Sequence, residues 1–154
     1  MKTMKILCIL FIIIVCSCDN NRIADKDNWG ILIKEYIDVA DGNEGDQLYL
    51  YISDNMCSEC IVKELINIKS NEIKINIIGV FNEKRNFLSA VNYPYIKEKI
   101  YINKKDIKQK EKLPIRPIYF IYNSVSKSIY EIFYPDPCNE ELTYKYMMKT
   151  KERI

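Results

Sequence analysis

Two cysteines set two residues apart, in the run Cys57-Ser58-Glu59-Cys60, are the side chains of this chain best suited to chemistry. Thiols can make and break a disulfide, and this spacing at a helix start lets the sulfurs meet without distorting the turn. An apolar run at 48–52 gives way to a helical pattern that begins at Cys57. A helix start presents unpaired backbone N–H groups and the positive end of the peptide dipoles, and both favour a thiolate at the first cysteine. The motif reads as a redox centre.

Other chemistries find little to work with. The chain has no histidine, so the usual general base is missing, and no glycine-rich phosphate loop occurs among its 4 glycines. Soft thiolates from Cys57, Cys60 and Cys138 could bind copper(I) or zinc, but no histidine or second pair of cysteines two apart at 57–154 completes a tetrahedral set. The expectation is therefore no metal and no cofactor.

The pair needs a strand before it and a helix after it. Leu48-Tyr49-Leu50-Tyr51-Ile52 is apolar or aromatic throughout, as expected of a central strand buried on both faces. From Cys57, Ile61, Leu65 and Ile68 recur at helical intervals while Lys63, Glu64, Asn67 and Lys69 lie elsewhere, which predicts an amphipathic helix over 57–69 with Ser53, Asp54 and Asn55 as capping residues. Upstream, Trp29, Leu32, Ile33, Tyr36, Ile37 and Ala40 mark one face of a helix over 28–40, followed by a turn at 41–46.

Downstream, 73–81 reads as a second buried strand, 83–91 as a helix closed by Pro94, and 100–102 as a short strand before a charged stretch that ends at Lys112. Beyond Pro114 and Pro117, two short apolar runs at 118–122 and 129–134 flank a polar link and predict a hairpin. Asp136 as cap and Pro137 as first helical residue open a last helix through Leu142, Tyr146 and Met147. Most of the 12 tyrosines, among them Tyr49, Tyr51, Tyr119, Tyr122, Tyr130 and Tyr134, fall in these strands as core and edge material. Alternation of strand and helix implies a parallel pair and the hairpin adds antiparallel strands, so the fold class is α/β with a mixed central sheet and helices on both faces.

The front end is of another kind. Lys2 and Lys5 precede an apolar run at 6–15, too short to span a bilayer as a mature helix and of the length of a signal-peptide core. The run ends in Val15-Cys16-Ser17-Cys18, which resembles the lipobox of bacterial lipoproteins. That resemblance implies that residues 1–17 are a signal peptide and that Cys18 is lipidated, with a plain secretory signal or an uncleaved anchor as the alternatives. Each alternative puts the rest of the chain outside the cytoplasm, and several acyl chains would hold it stably on a membrane. Residues 18–27 are polar and without apolar periodicity, as in a flexible tether, and 28–154 remain for one domain. The expected location is the bacterial cell envelope, facing the periplasm or the cell exterior.

Charge and cysteine usage agree with that placement. The chain carries 23 basic and 21 acidic side chains, and loss of Lys2 and Lys5 with the signal brings the balance to zero, so no attraction to nucleic acid follows. The Lys-rich stretch at 96–112 is interrupted by Glu98, Asp106 and Glu111, as in a solvated face. Of the 6 cysteines, Cys8 and Cys16 leave with the signal and Cys18 takes lipid, so Cys57, Cys60 and Cys138 remain as thiols in a compartment where a disulfide can persist. Cys138 is left without a mate in the chain, which leaves a disulfide-linked dimer open.

A strand, then Cys57-x-x-Cys60 opening a helix, then a proline before the first strand of a late hairpin: this order resembles the thioredoxin fold over about residues 46–152, in the manner of membrane-tethered thioredoxin-like lipoproteins. The resemblance implies a three-layer sandwich, with Cys57 as the exposed nucleophile that attacks a partner disulfide and Cys60 as the thiol that resolves the mixed disulfide. It also implies a cis proline facing the dithiol, matched by Pro117 rather than Pro114, and a backbone at Arg116 that pairs with an incoming peptide strand. Met56 stands where the family has an aromatic residue, and Ser58-Glu59 where Gly-Pro is familiar. Glu59 opposes a thiolate while Arg116 could favour one, so the net sign is open at this point. The implied activity is thiol–disulfide exchange with cysteine pairs of exported proteins or a redox partner protein. The alternative is a non-catalytic binding or assembly lipoprotein that keeps the fold and a structural disulfide.

Overall fold

The computed structural model describes residues 33–34, 36–37, 45–107, 113–136 and 138–154. The lipobox, Cys18, the tether, most of the expected first helix and Pro137 lie outside the described residues. Of that first helix, Ile33, Lys34, Tyr36 and Ile37 are helical, and Ile33 and Ile37 are fully buried.

Strand β1 (Asp46–Ser53) leads into helix α1 (Ser58–Ser70), strand β2 (Ile75–Phe81), helix α2 (Lys84–Ala90), strand β3 (Ile96–Asn103) and a single 3-10 turn at Lys104–Asp106. Strands β4 (Ile118–Asn123) and β5 (Ser128–Phe133) and helix α3 (Glu140–Lys151) complete the described chain. The five strands form one open mixed sheet in the order β3-β2-β1-β4-β5. β1 pairs with β2 and β2 with β3 in parallel, whereas β4 runs antiparallel to β1 and β5 to β4.

The apolar runs explain the middle of this order. Every residue of β2 is buried, and so are Leu48 to Ser53 of β1, as a strand covered on both faces requires. β3 is longer than the short strand expected at 100–102, because its first half exposes Lys97, Glu98 and Lys99 at the sheet edge. Charge along an unpaired edge discourages further strand pairing and also hides the strand from an apolar-run reading. At the other edge Glu131 sits in the left-handed region at φ 49, and the ladder slips a register between Tyr119 and Ile121. Gly45, at φ 99, makes the turn into β1 and donates its N–H to Ser124 Oγ at 3.0 Å.

The register assigns faces. Tyr119 pairs with Leu50, and Leu50 with Ile77, so these share a face that Gly79, two residues on, also joins. Helix α1 meets that face through Glu64, whose Oε2 accepts the Tyr119 hydroxyl at 2.8 Å, and helix α3 meets it through Tyr146, 6.1 Å from the Tyr119 ring. Phe87 of α2 lies over Gly79, so α1, α2 and α3 lie on one face. Right-handed crossovers that step in one direction from β1 to β2 to β3 place α1 and α2 on the same side. The opposite face is buried as well, with Tyr49 stacked on Phe120 at 5.4 Å, and the expectation of helices there falls on the residue range 28–40, largely outside the described residues.

Two capping expectations are corrected. Asn139, not Asp136, caps α3, accepting the Leu142 N–H, while Asp136 Oδ1 takes the Cys138 N–H at 2.8 Å two residues on and closes a turn before the helix. Cys57 itself is the N-cap of α1, and Asp54 and Asn55 spend their side chains elsewhere.

Candidate functional site

Cys57 and Cys60 lie at the end of the sheet where β1, β2 and β3 terminate. Ser53 ends β1, and Met56 turns back into the core: its N–H donates to the Ser53 carbonyl at 3.1 Å, and its sulfur accepts the Ser53 N–H at 3.3 Å. This tight loop delivers Cys57 to the N-cap of α1 with its side chain exposed, while Cys60, one turn on, is partly covered.

The surroundings settle the sign left open above. The backbone N–H of Cys60, the Cys60 thiol and the backbone N–H of Glu59 all favour the anion at Cys57, and together they outweigh burial and the Glu59 charge, so its thiol sits below the ordinary cysteine range. Arg116 is not among these influences. The Cys60 thiol is pushed upward, first by its hydrogen bond to Cys57, then by burial and the Cys57 charge. One sulfur is thus prepared to attack and the other is held protonated beside it, a polarity that two equivalent thiols would lack.

Pro117 is buried and Arg116 exposed, immediately before β4. Ile118 pairs with Tyr51, so both residues stand at the same end of the sheet as the loop that leads to Cys57. No peptide bond among the described residues is cis, so the expected cis geometry at Pro117 is corrected to trans, the form an X–Pro bond prefers unless a tight turn overrides it. Cys138 is exposed, two residues before α3, whose first residue, Glu140, pairs with Lys63 of α1 at 2.7 Å. Among the described residues no group of three or more histidine, cysteine, aspartate or glutamate side chains is arranged to hold a metal, and no helix is long and apolar enough to cross a membrane.

Sequence reasoning placed Glu64 on the polar side of α1, yet it is only 5 % exposed. The signal was present in the spacing, since 61, 64, 65 and 68 form one continuous helical stripe. Burial raises the Glu64 carboxyl above its ordinary value, and hydrogen bonds from Tyr119 and Asn67 offset part of that rise. A raised carboxyl favours the folded state most below the unfolded value and loses that contribution as pH climbs through the folded value. In a Glu64→Gln variant the stability relative to the parent should therefore increase as pH rises from about 4.5 toward neutrality. Parallel urea titrations at several pH values check this, and a pH-independent difference between the two proteins would count against it.

Comparison of the chain with protein-family models, with curated proteins and with solved structures finds no match in any of the three.

Proposed function

We propose that this chain is a lipid-anchored thiol–disulfide oxidoreductase of the thioredoxin type, acting on cysteine pairs of exported proteins. The observation that carries the reading is the unequal pair at the start of α1, with Cys57 exposed and biased toward the thiolate and Cys60 partly covered and biased toward the thiol. Supporting it are the β1-α1-β2 crossover, the β4-β5 hairpin followed by α3, and Pro117 at the head of β4 beside β1.

In the proposed exchange the Cys57 thiolate attacks one sulfur of a partner disulfide, forming a mixed disulfide and releasing the partner's other sulfur as a thiolate that takes up a proton. Cys60 then gives up its proton and attacks the Cys57 sulfur. The partner leaves with two thiols, having gained the two electrons that Cys57 and Cys60 gave up in forming their own disulfide; run in reverse, the same steps oxidise a partner. Arg116 and Pro117 flank the partner's chain, and Cys18 carries the lipid.

The deciding measurement is the reduction potential of the Cys57–Cys60 pair against a glutathione or dithiothreitol series. A catalytic pair is expected between about −270 and −120 mV, whereas a value below about −300 mV marks a structural disulfide and supports the non-catalytic assembly protein instead.

A further inference from the structure

We propose that Asp54, Asn82 and Lys104 form a clamp that positions the Cys57 loop, making Lys104 and Asn82 positioning residues for the dithiol although they lie 47 and 25 places from Cys57 in the chain. The inference rests on the redox reading of Cys57 and Cys60 given above.

The three residues come from the three loops at the ends of β1, β2 and β3, which adjoin one another in the sheet. Asp54 Oδ1 pairs with Lys104 Nζ at 2.6 Å. Asp54 Oδ2 accepts the Asn82 N–H at 2.9 Å and its side-chain amide at 2.6 Å. Lys104 Nζ also donates to Asn55 Oδ1, and the Asp54 N–H donates to the Val80 carbonyl at 3.2 Å. The Tyr101 hydroxyl completes the set by donating to the Asn82 carbonyl.

Two features separate this network from ordinary surface pairing. The Lys104 and Asp54 side chains are only 15 % and 22 % exposed, so solvent screens their attraction less than it screens an open pair. Their placement matters more. Asp54 and Asn55 begin the loop that ends at Cys57, and with Met56 anchored below, the loop is held from both sides. The anion at Cys57 depends on N–H groups at Glu59 and Cys60, which act only if the sulfur stays over the helix start. Loosening the clamp should let the sulfur leave that position part of the time.

A positioning role and a through-space charge effect differ in sign. Removing a positive charge at Lys104 and a negative charge at Asp54 would shift Cys57 in opposite directions if charge were the cause. Loss of position shifts it in one direction. The test measures iodoacetamide alkylation at Cys57 against pH, mapped by peptide mass, in the fully reduced full-length chain and in Lys104→Met, Asp54→Asn, Asn82→Ala and Lys104→Arg variants. The expected result is an upward move of the profile in the first three and about a three- to tenfold slower reaction below neutrality in Lys104→Met, with Lys104→Arg close to the parent.

Asn82→Ala alters no charge, so its shift also discriminates, and it remains informative if an unpaired Asp54 or Lys104 prevents folding. Opposite shifts in Lys104→Met and Asp54→Asn, or unchanged profiles in folded variants, overturn the proposal. A parent potential below about −300 mV removes the catalytic reading, while the alkylation profiles still decide whether the clamp positions Cys57.

Discussion

On the proposed exchange mechanism, a Cys57→Ser variant should lose thiol–disulfide exchange completely, while Cys60→Ser should retain the first half-reaction and accumulate partners joined to Cys57. The asymmetry follows from the site. Cys57 is exposed and favoured as a thiolate, so only it meets an incoming disulfide in reactive form. Cys60 is partly covered and held as a thiol, so it acts after the mixed disulfide has replaced the Cys57 charge that held its proton. Once Cys57 is bonded to a partner, the largest influence raising Cys60 is gone. Non-reducing gels of cells expressing each variant, together with disulfide-reduction assays on purified protein, check both halves. Equal trapping by the two single variants, or no trapping by Cys60→Ser, would contradict the assigned roles.

The second large effect is expected at a residue that takes no part in the thiol chemistry. Alanine at Gly79 should destabilise the fold by about 1–3 kcal/mol, although alanine is ordinarily the better residue in a strand by roughly 0.5–1 kcal/mol. A Cβ built there stands 2.3 Å from two ring carbons of Phe87 and 3.2 Å from Phe81. Flexible side chains often yield to such a contact, but Phe87 is fully buried, with the Phe81 ring 5.6 Å and the Tyr101 ring 6.0 Å away. Either the ring leaves its rotamer or α2 lifts from the sheet. Urea denaturation should show a lower midpoint with an unchanged slope, and the penalty should shrink in a Phe87→Leu background. An equal penalty in both backgrounds would locate the strain elsewhere.

How much of this could be read from residue types alone varied from element to element. β1, β2 and β4 were legible because they are apolar runs buried on both faces, β5 because a second short apolar run follows β4 after a polar link, and α1 because its apolar residues recur at helical spacing. β3 was read as a fragment because a strand at the sheet edge faces water along half its length and carries Lys97, Glu98 and Lys99 there. Caps were misassigned where several candidates stood in a row: Asp54 and Asn55 have the chemistry of helix caps, but Lys104 and Asn82 reach them from distant loops. Glu64 was misplaced because its type argues for water, whereas the Tyr119 hydroxyl supplies a partner inside. The dithiol was visible from its spacing, but the unequal character of its two sulfurs depends on which N–H groups face which sulfur.

Tyr119 gives the fold a further property. One ring on β4 is bonded to Glu64 in α1 and packed against Tyr146 of α3 and Phe133 of β5, so elements from both halves of the described chain converge on a single side chain. Segments coupled in this way tend to open together rather than fray one at a time. The helix that carries the thiols is therefore tied through this one ring to the last helix, and loosening at the end that bears the dithiol is expected to disturb both.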